Sequence, residues 1–94
     1  MTHIMIRHRV DNYEAWKEVF DNFADVRKAS GEKSFLIFQP EGDSDNLHLL
    51  FEWDTPENAR KFLESSELKN AMRKAGVSEP PEIRFLNESE RGKL

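Results

Sequence analysis

Imidazole is the side chain whose ordinary pKa lies near neutrality, so the proton chemistry open to this chain rests first on its three histidines. His3 and His8 stand in HIMIRHRV (residues 3–10) with Arg7 and Arg9, and His48 stands in LHLLFEW (residues 47–53), which ends at Trp53. A histidine beside aromatic walls can take a proton from a phenolic or enolic group. Arginine's planar fork can hold a carboxylate at two points. With no cysteine there is no thiolate nucleophile, disulfide or thiolate metal site. The histidines lack the close spacing of a zinc site. DSDN (residues 43–46) begins like a calcium loop, but the sixth position is His48 rather than Gly and the twelfth is Asp54 rather than Glu. A phosphate-binding glycine loop and a G-x-S-x-G elbow are both absent. No metal is expected.

The elements that position these side chains can be read from hydrophobic period. Residues 2–10 alternate, so a strand puts Ile4, Ile6, His8 and Val10 on one face and His3, Met5, Arg7 and Arg9 on the other. Asp11 with Glu14 three positions on has the form of a capping box, and Trp16, Phe20 and Phe23 follow at helical spacing, predicting one helix over 12–30 closed by Gly31. SFLIFQ and LHLLFEW, joined by the polar PEGDSDN, predict a hairpin. Thr55 followed by Pro56 starts a second helical region, with Ala59, Phe62 and Leu63 facing inward. SSELKNAMRKAG restarts that pattern, with Leu68, Ala71 and Met72 apolar, so a break is expected near Ser65 or Ser66. PPEIRFL gives the last strand, and NESERGKL a polar, frayed tail.

This order, βαββαβ, predicts an α+β ferredoxin-like sandwich with a four-stranded antiparallel sheet. A single domain over residues 1–88 with a tail at 89–94 is expected. Both helical regions then cover one face. The other face is not polar throughout, since Leu36, Phe38 and Leu50 fall on it, so a second copy of the sheet is the economical cover. A 94-residue chain hides only about 60 to 65% of its unfolded surface, which also favours a homodimer. The net charge of −4 argues against a nucleic-acid partner. No stretch is apolar enough to span a membrane or to serve as a secretory leader, so a cytoplasmic location is expected.

The plan, together with EWDTPENARKFL (52–63), SSELKNAM (65–72) and AGVSEPPEIRFL (75–86), resembles the dimeric α/β-barrel superfamily, nearest its antibiotic-biosynthesis-monooxygenase branch. The similarity runs over residues 2 to 87. It implies two sheets closing a barrel across a dimer and a small-molecule pocket between sheet and helices in each subunit. In the haem-degrading members, activity rests on an Asn late in strand one and a Trp and a His ten residues apart in the second helical region. Here those places hold His8, Phe62 and Met72, so haem chemistry is not expected. Trp53 stands where members of the monooxygenase branch keep an aromatic residue. The resemblance implies cofactor-independent chemistry, and no cofactor is expected.

Two readings follow. In the first, His8 is the proton carrier of a cofactor-independent monooxygenase acting on an aromatic or polyketide-like molecule, placed near Trp53 and Phe62 as walls, with Met72 beside them. In the second, the chain is a non-catalytic ligand-binding or structural dimer, His8 is a strand-end residue and the aromatics are core. On the opposite face, Arg7, Arg9, His48, Glu52 and Arg84 are expected to form a charge cluster inside the dimer barrel, Arg7 or Arg9 meeting Glu52. That cluster sets subunit register or, alternatively, holds a carboxylated ligand.

Overall fold

The computed structural model describes residues 1–94. Its elements run β1 (Thr2–Arg9), α1 (Tyr13–Asn22), α2 (Ala24–Ser30), β2 (Glu32–Phe38), β3 (Asn46–Trp53), α3 (Pro56–Leu63), α4 (Ser66–Lys74) and β4 (Glu82–Leu86). The four strands form one antiparallel sheet in the order β2-β3-β1-β4, the ferredoxin-like arrangement expected. Ile4, Leu47, Leu49, Phe51 and Trp53 project to the helix-covered face and are buried against Trp16, Phe20, Ala59 and Phe62.

Local chemistry explains the boundaries. The second helical region starts where Thr55 Oγ1 accepts the Asn58 N–H at 3.1 Å, with Pro56 in the first turn. It restarts where Ser65 Oγ accepts the Leu68 N–H at 3.2 Å, the break expected from the serines. The first helix differs from expectation in two ways. Its N-cap is Asn12, whose Oδ1 accepts from Ala15 N–H at 2.9 Å, while Asp11 donates its backbone N–H to Gly76 O at 2.9 Å, tying β1's end to the loop before β4. The run is also interrupted at Phe23 (φ −92°, ψ 3°), giving α1 and α2. At that bend the Phe20 carbonyl accepts the Phe23 N–H and also a guanidinium N–H of Arg27, and Phe23 turns its ring to within 5.9 Å of Phe62. β1 ends at Arg9, with Val10 bridging Val77.

Gly31 closes α2 at φ +124°, where a Cβ would fall 2.4 Å from Asp54 Oδ1, so glycine is required by conformation and by space. Asp54 accepts N–H groups from Thr55 and Asn58, and its own N–H donates to Gly31 O at 3.0 Å, which locks the β3–α3 turn against the start of β2.

α4 differs from the other helices in burying none of its residues fully; Leu68, Ala71 and Met72 are half-buried and stand off from the sheet. The gap under it is the site described next. No helix is long and apolar enough to cross a membrane.

Candidate functional site: an apolar cavity with two polar ends

A cavity of about 280 Å³ lies between the helix-covered face of the sheet and the helices, bounded on the α4 side by Leu68, Ala71 and Met72. This is at the small end of ligand pockets. Ile4, Ile6, Leu49 and Phe51 supply its floor and Trp16, Phe20 and Phe23 a wall. Only four lining residues are polar: His8, Arg27, Glu32 and, at the exposed rim, Lys69.

His8 is carried inward by strand alternation, pairing with Leu47 across β1 and β3. It is 6% exposed, and both ring nitrogens are screened from solvent and without a hydrogen-bond partner. Burial therefore lowers its pKa from 6.5 to about 4, and the ring is neutral at pH 7. An unsatisfied buried polar group costs about 1–3 kcal/mol, a penalty that a ligand hydroxyl can relieve.

All four residues expected to form the pocket line this one cavity: His8, Trp53, Phe62 and Met72. Trp53 and Phe62 pack with ring centroids 5.1 Å apart. The expected closeness of His8 to that pair is corrected. Trp53 pairs with Thr2 and His8 with Leu47, six residues along the strand, or about 20 Å at the usual rise. The ring beside His8 is Trp16, edge-on at 5.8 Å.

At the Trp53 end sits an ion pair that sequence reading missed. Arg27 Nε lies 3.0 and 3.1 Å from the two Glu32 carboxylate oxygens, with both side chains almost fully buried, and the guanidinium carbon lies 3.6 Å from the Phe20 ring centroid. Burial pushes the Glu32 carboxyl up, with Arg27 opposing. Arg27 follows Phe23 by four, on the stripe begun by Trp16 and Phe20, and that spacing was the available signal. Glu32 gave none. Counting back from Phe35 and Ile37 puts Lys33 inward, but a bulge between Glu32 and Ser34 sets Glu32 opposite Trp53.

The opposite face carries the residues expected to form one charge cluster, and the structure divides them. Arg7 Nε donates to Glu82 at 3.1 Å and Arg84 reaches the same carboxylate at 2.7 Å, which together hold Glu82 below the usual carboxylate range. Arg9 grips Asp43 of the β2–β3 loop in a two-point contact at 2.9 and 3.2 Å, raising Arg9 and lowering Asp43. Glu52 meets neither arginine. It pairs across the sheet with His3, whose Nε2 lies 3.5 Å from it, while His48 faces Arg7. The expected Arg–Glu52 contact fails because antiparallel register puts Glu52 four residues along β1 from Arg7. Leu36 and Phe38 on this face are each 54% exposed in the single chain. Beyond β4 the chain has no regular structure, and Asn87, Glu88 and Arg91 border a hollow with Leu36 and Leu50.

Among solved structures, one from Bordetella bronchiseptica assigned as an antibiotic biosynthesis monooxygenase superposes with a TM-score of 0.80, at 12% identity over 95% of this chain and 97% of that one. SnoaB from Streptomyces nogalater, a cofactor-independent oxygenase, matches with a TM-score of 0.78, at 12% identity over 96% and 94% of the two chains. The chain shares the fold of these structures. A third such structure, assigned likewise and from Nitrosomonas europaea, shares 20% identity over 96% of this chain and all of its own, with a TM-score of 0.72. What they share with it is the α+β ferredoxin-like architecture, a four-stranded antiparallel sheet under helices, that the order of elements predicted. No protein-family model and no curated protein matches the chain. Within this shared fold, the geometry of the chain's own side chains must carry any assignment of activity.

Proposed function

We propose that this chain is a homodimeric small-molecule-binding protein that works as a cofactor-independent monooxygenase on an aromatic substrate held in the cavity between sheet and helices. The observation that carries this reading is His8, an unpartnered, neutral imidazole in a cavity otherwise walled near it by apolar and aromatic side chains. A substrate hydroxyl would satisfy one ring nitrogen after a small rotation of the imidazole.

The chemistry fits an acidic C–H or phenolic substrate. His8 takes the proton, the anion formed beside it holding the imidazolium that burial alone disfavours, and the carbanion passes electrons to dioxygen, forming a C–O bond. The resulting peroxide anion takes the proton back from His8, and the hydroperoxide so formed loses water as its remaining C–H proton leaves and the O–O bond breaks, so that a CH₂ group and O₂ become C=O and H₂O. The aromatic walls favour a flat, delocalised anion, and exclusion of water protects it from reprotonation. SnoaB, of like fold, is itself described as a cofactor-independent oxygenase. The exposed Leu36 and Phe38 on the far face support the homodimer.

Oxygen uptake with a panel of polyphenols and hydroxyquinones tests the activity. Turnover in the wild type that is lost in His8→Ala supports it, and turnover unchanged in His8→Ala removes the assigned base. Stoichiometric binding of these compounds with no oxygen uptake in either protein would favour the non-catalytic reading.

A further inference from the structure

Arg27 and Glu32 form a second polar end to the cavity, and nothing in the proton-transfer step uses them. Three donor directions of the guanidinium are distinct here. Nε is committed to Glu32 and Nη1 to the Phe20 carbonyl. Nη2 makes no hydrogen bond within the chain, yet it is not among the polar atoms sealed from solvent. The fork is thus held by two partners and by the Phe20 face, with both Nη2 N–H groups left over on a residue that lines the cavity. An aromatic wall runs from this end toward His8, in steps of 3.6 Å from the guanidinium to Phe20, 4.8 Å from Phe20 to Trp16 and 5.8 Å from Trp16 to His8.

We propose that Arg27 Nη2 is a specificity-determining anchor that donates to a neutral carbonyl oxygen at the end of the ligand remote from His8. This rests on the reading of the cavity as the binding site and names the class of molecule it takes: a flat aromatic with a hydroxyl at one end and a ketone or quinone oxygen at the other. The acceptor is neutral because Glu32 already balances the guanidinium. A ligand carboxylate at this end would bring a second anion beside Glu32 into an apolar space at a desolvation cost, and the cavity's other cation, Lys69, stands away at the exposed rim.

Three probes on one scaffold test this: 2-naphthol, 6-acetyl-2-naphthol and 6-hydroxy-2-naphthoic acid, titrated by naphthol fluorescence against the full chain. Arg27→Met alone leaves Glu32 buried without its partner, so the working variant is the double change Arg27→Met with Glu32→Gln. The wild type is expected to bind the ketone about tenfold more tightly than 2-naphthol, the size of one hydrogen bond to a charged donor. The acid is expected to bind no better than 2-naphthol. In the double variant the ketone-to-2-naphthol affinity ratio falls to about one, whatever shift the two probes share, a ratio that a merely structural role for the pair would not change. Binding of 2-naphthol with no ketone advantage, or an advantage that survives in the double variant, overturns the anchor and leaves the cavity reading standing. Preference for the acid overturns the neutral acceptor. Failure of all three to bind overturns the cavity reading and the anchor with it.

Discussion

The two faces of the sheet are made by the same four strands, yet they treat polar groups in opposite ways. On the open face each arginine of β1 finds a carboxylate in or near water, Arg7 with Glu82 and Arg9 with Asp43, and His3 lies 3.5 Å from Glu52 through Nε2 while its Nδ1 is buried without a partner. On the helix face a single polar residue of β1, His8, is buried with no partner, and the one ion pair there, Arg27–Glu32, lies at the far end of the cavity. In the single chain, surface pairs of the first kind are replaceable, because water stands ready to solvate each member. Polar groups of the second kind are held at a cost to stability and mark where a ligand would be felt. The charge-rich strand HIMIRHRV is therefore a wet edge on one side and a site on the other, with alternation deciding which residue does which.

The widest gap between the faces should appear in the two arginine pairs. Arg27→Met strands a buried carboxylate and is expected to lower unfolding free energy by about 3–5 kcal/mol in urea titrations. Adding Glu32→Met should restore most of that loss. If the single and double variants are equally destabilised, packing rather than charge explains Arg27.

A smaller effect separates His8 from the histidines outside. Its pKa in the folded chain, about 4, lies below the 6.5 of the unfolded chain. Between those values the unfolded state holds the extra proton, so stability is full above about pH 6.5 and falls as pH drops toward 4. The loss should be about 2–3 kcal/mol. In His8→Phe this part of the acid limb should vanish from a series of denaturation curves across that window. An unchanged acid limb would place its origin elsewhere.

Assembly sharpens the comparison from the open side. A homodimer through this face should sediment at twice 11.0 kDa, and Leu36→Lys with Phe38→Lys should return it to 11.0 kDa with its circular dichroism unchanged. A wild type that already sediments at 11.0 kDa at micromolar concentration contradicts the homodimer. The smallest effect belongs to Arg7→Met, which in the dissociated Leu36→Lys, Phe38→Lys chain should leave the unfolding midpoint where it is.

Much of this architecture was legible because strand alternation, the Thr55 and Ser65 caps and the polar hairpin loop each left a local signature, and all agree with the sheet order found. The inward set of His8, Trp53, Phe62 and Met72 could be read in the same way. Distances within it could not, because sharing a face does not fix how far apart register places two residues, and His8 and Trp53, each near the C-terminal end of its strand, fall at opposite ends of an antiparallel pair. The break at Phe23 was hidden by a stripe that continues through it from Trp16 to Arg27. Glu32 was hidden by a bulge, which reverses the parity on which any count along β2 depends. The open-face ion pairs were mismatched because side chains on adjacent strands were assigned by type before register was known.

Long-range ¹H–¹⁵N correlation spectra of the imidazoles, recorded across pH with and without 2-naphthol, test the central claim most directly. Without ligand, His8 should appear as a neutral ring titrating near pH 4, and 2-naphthol should shift one of its nitrogens in saturable, stoichiometric fashion. A His8 that titrates near 6.5, or one whose nitrogens are unmoved while 2-naphthol binds, would contradict it.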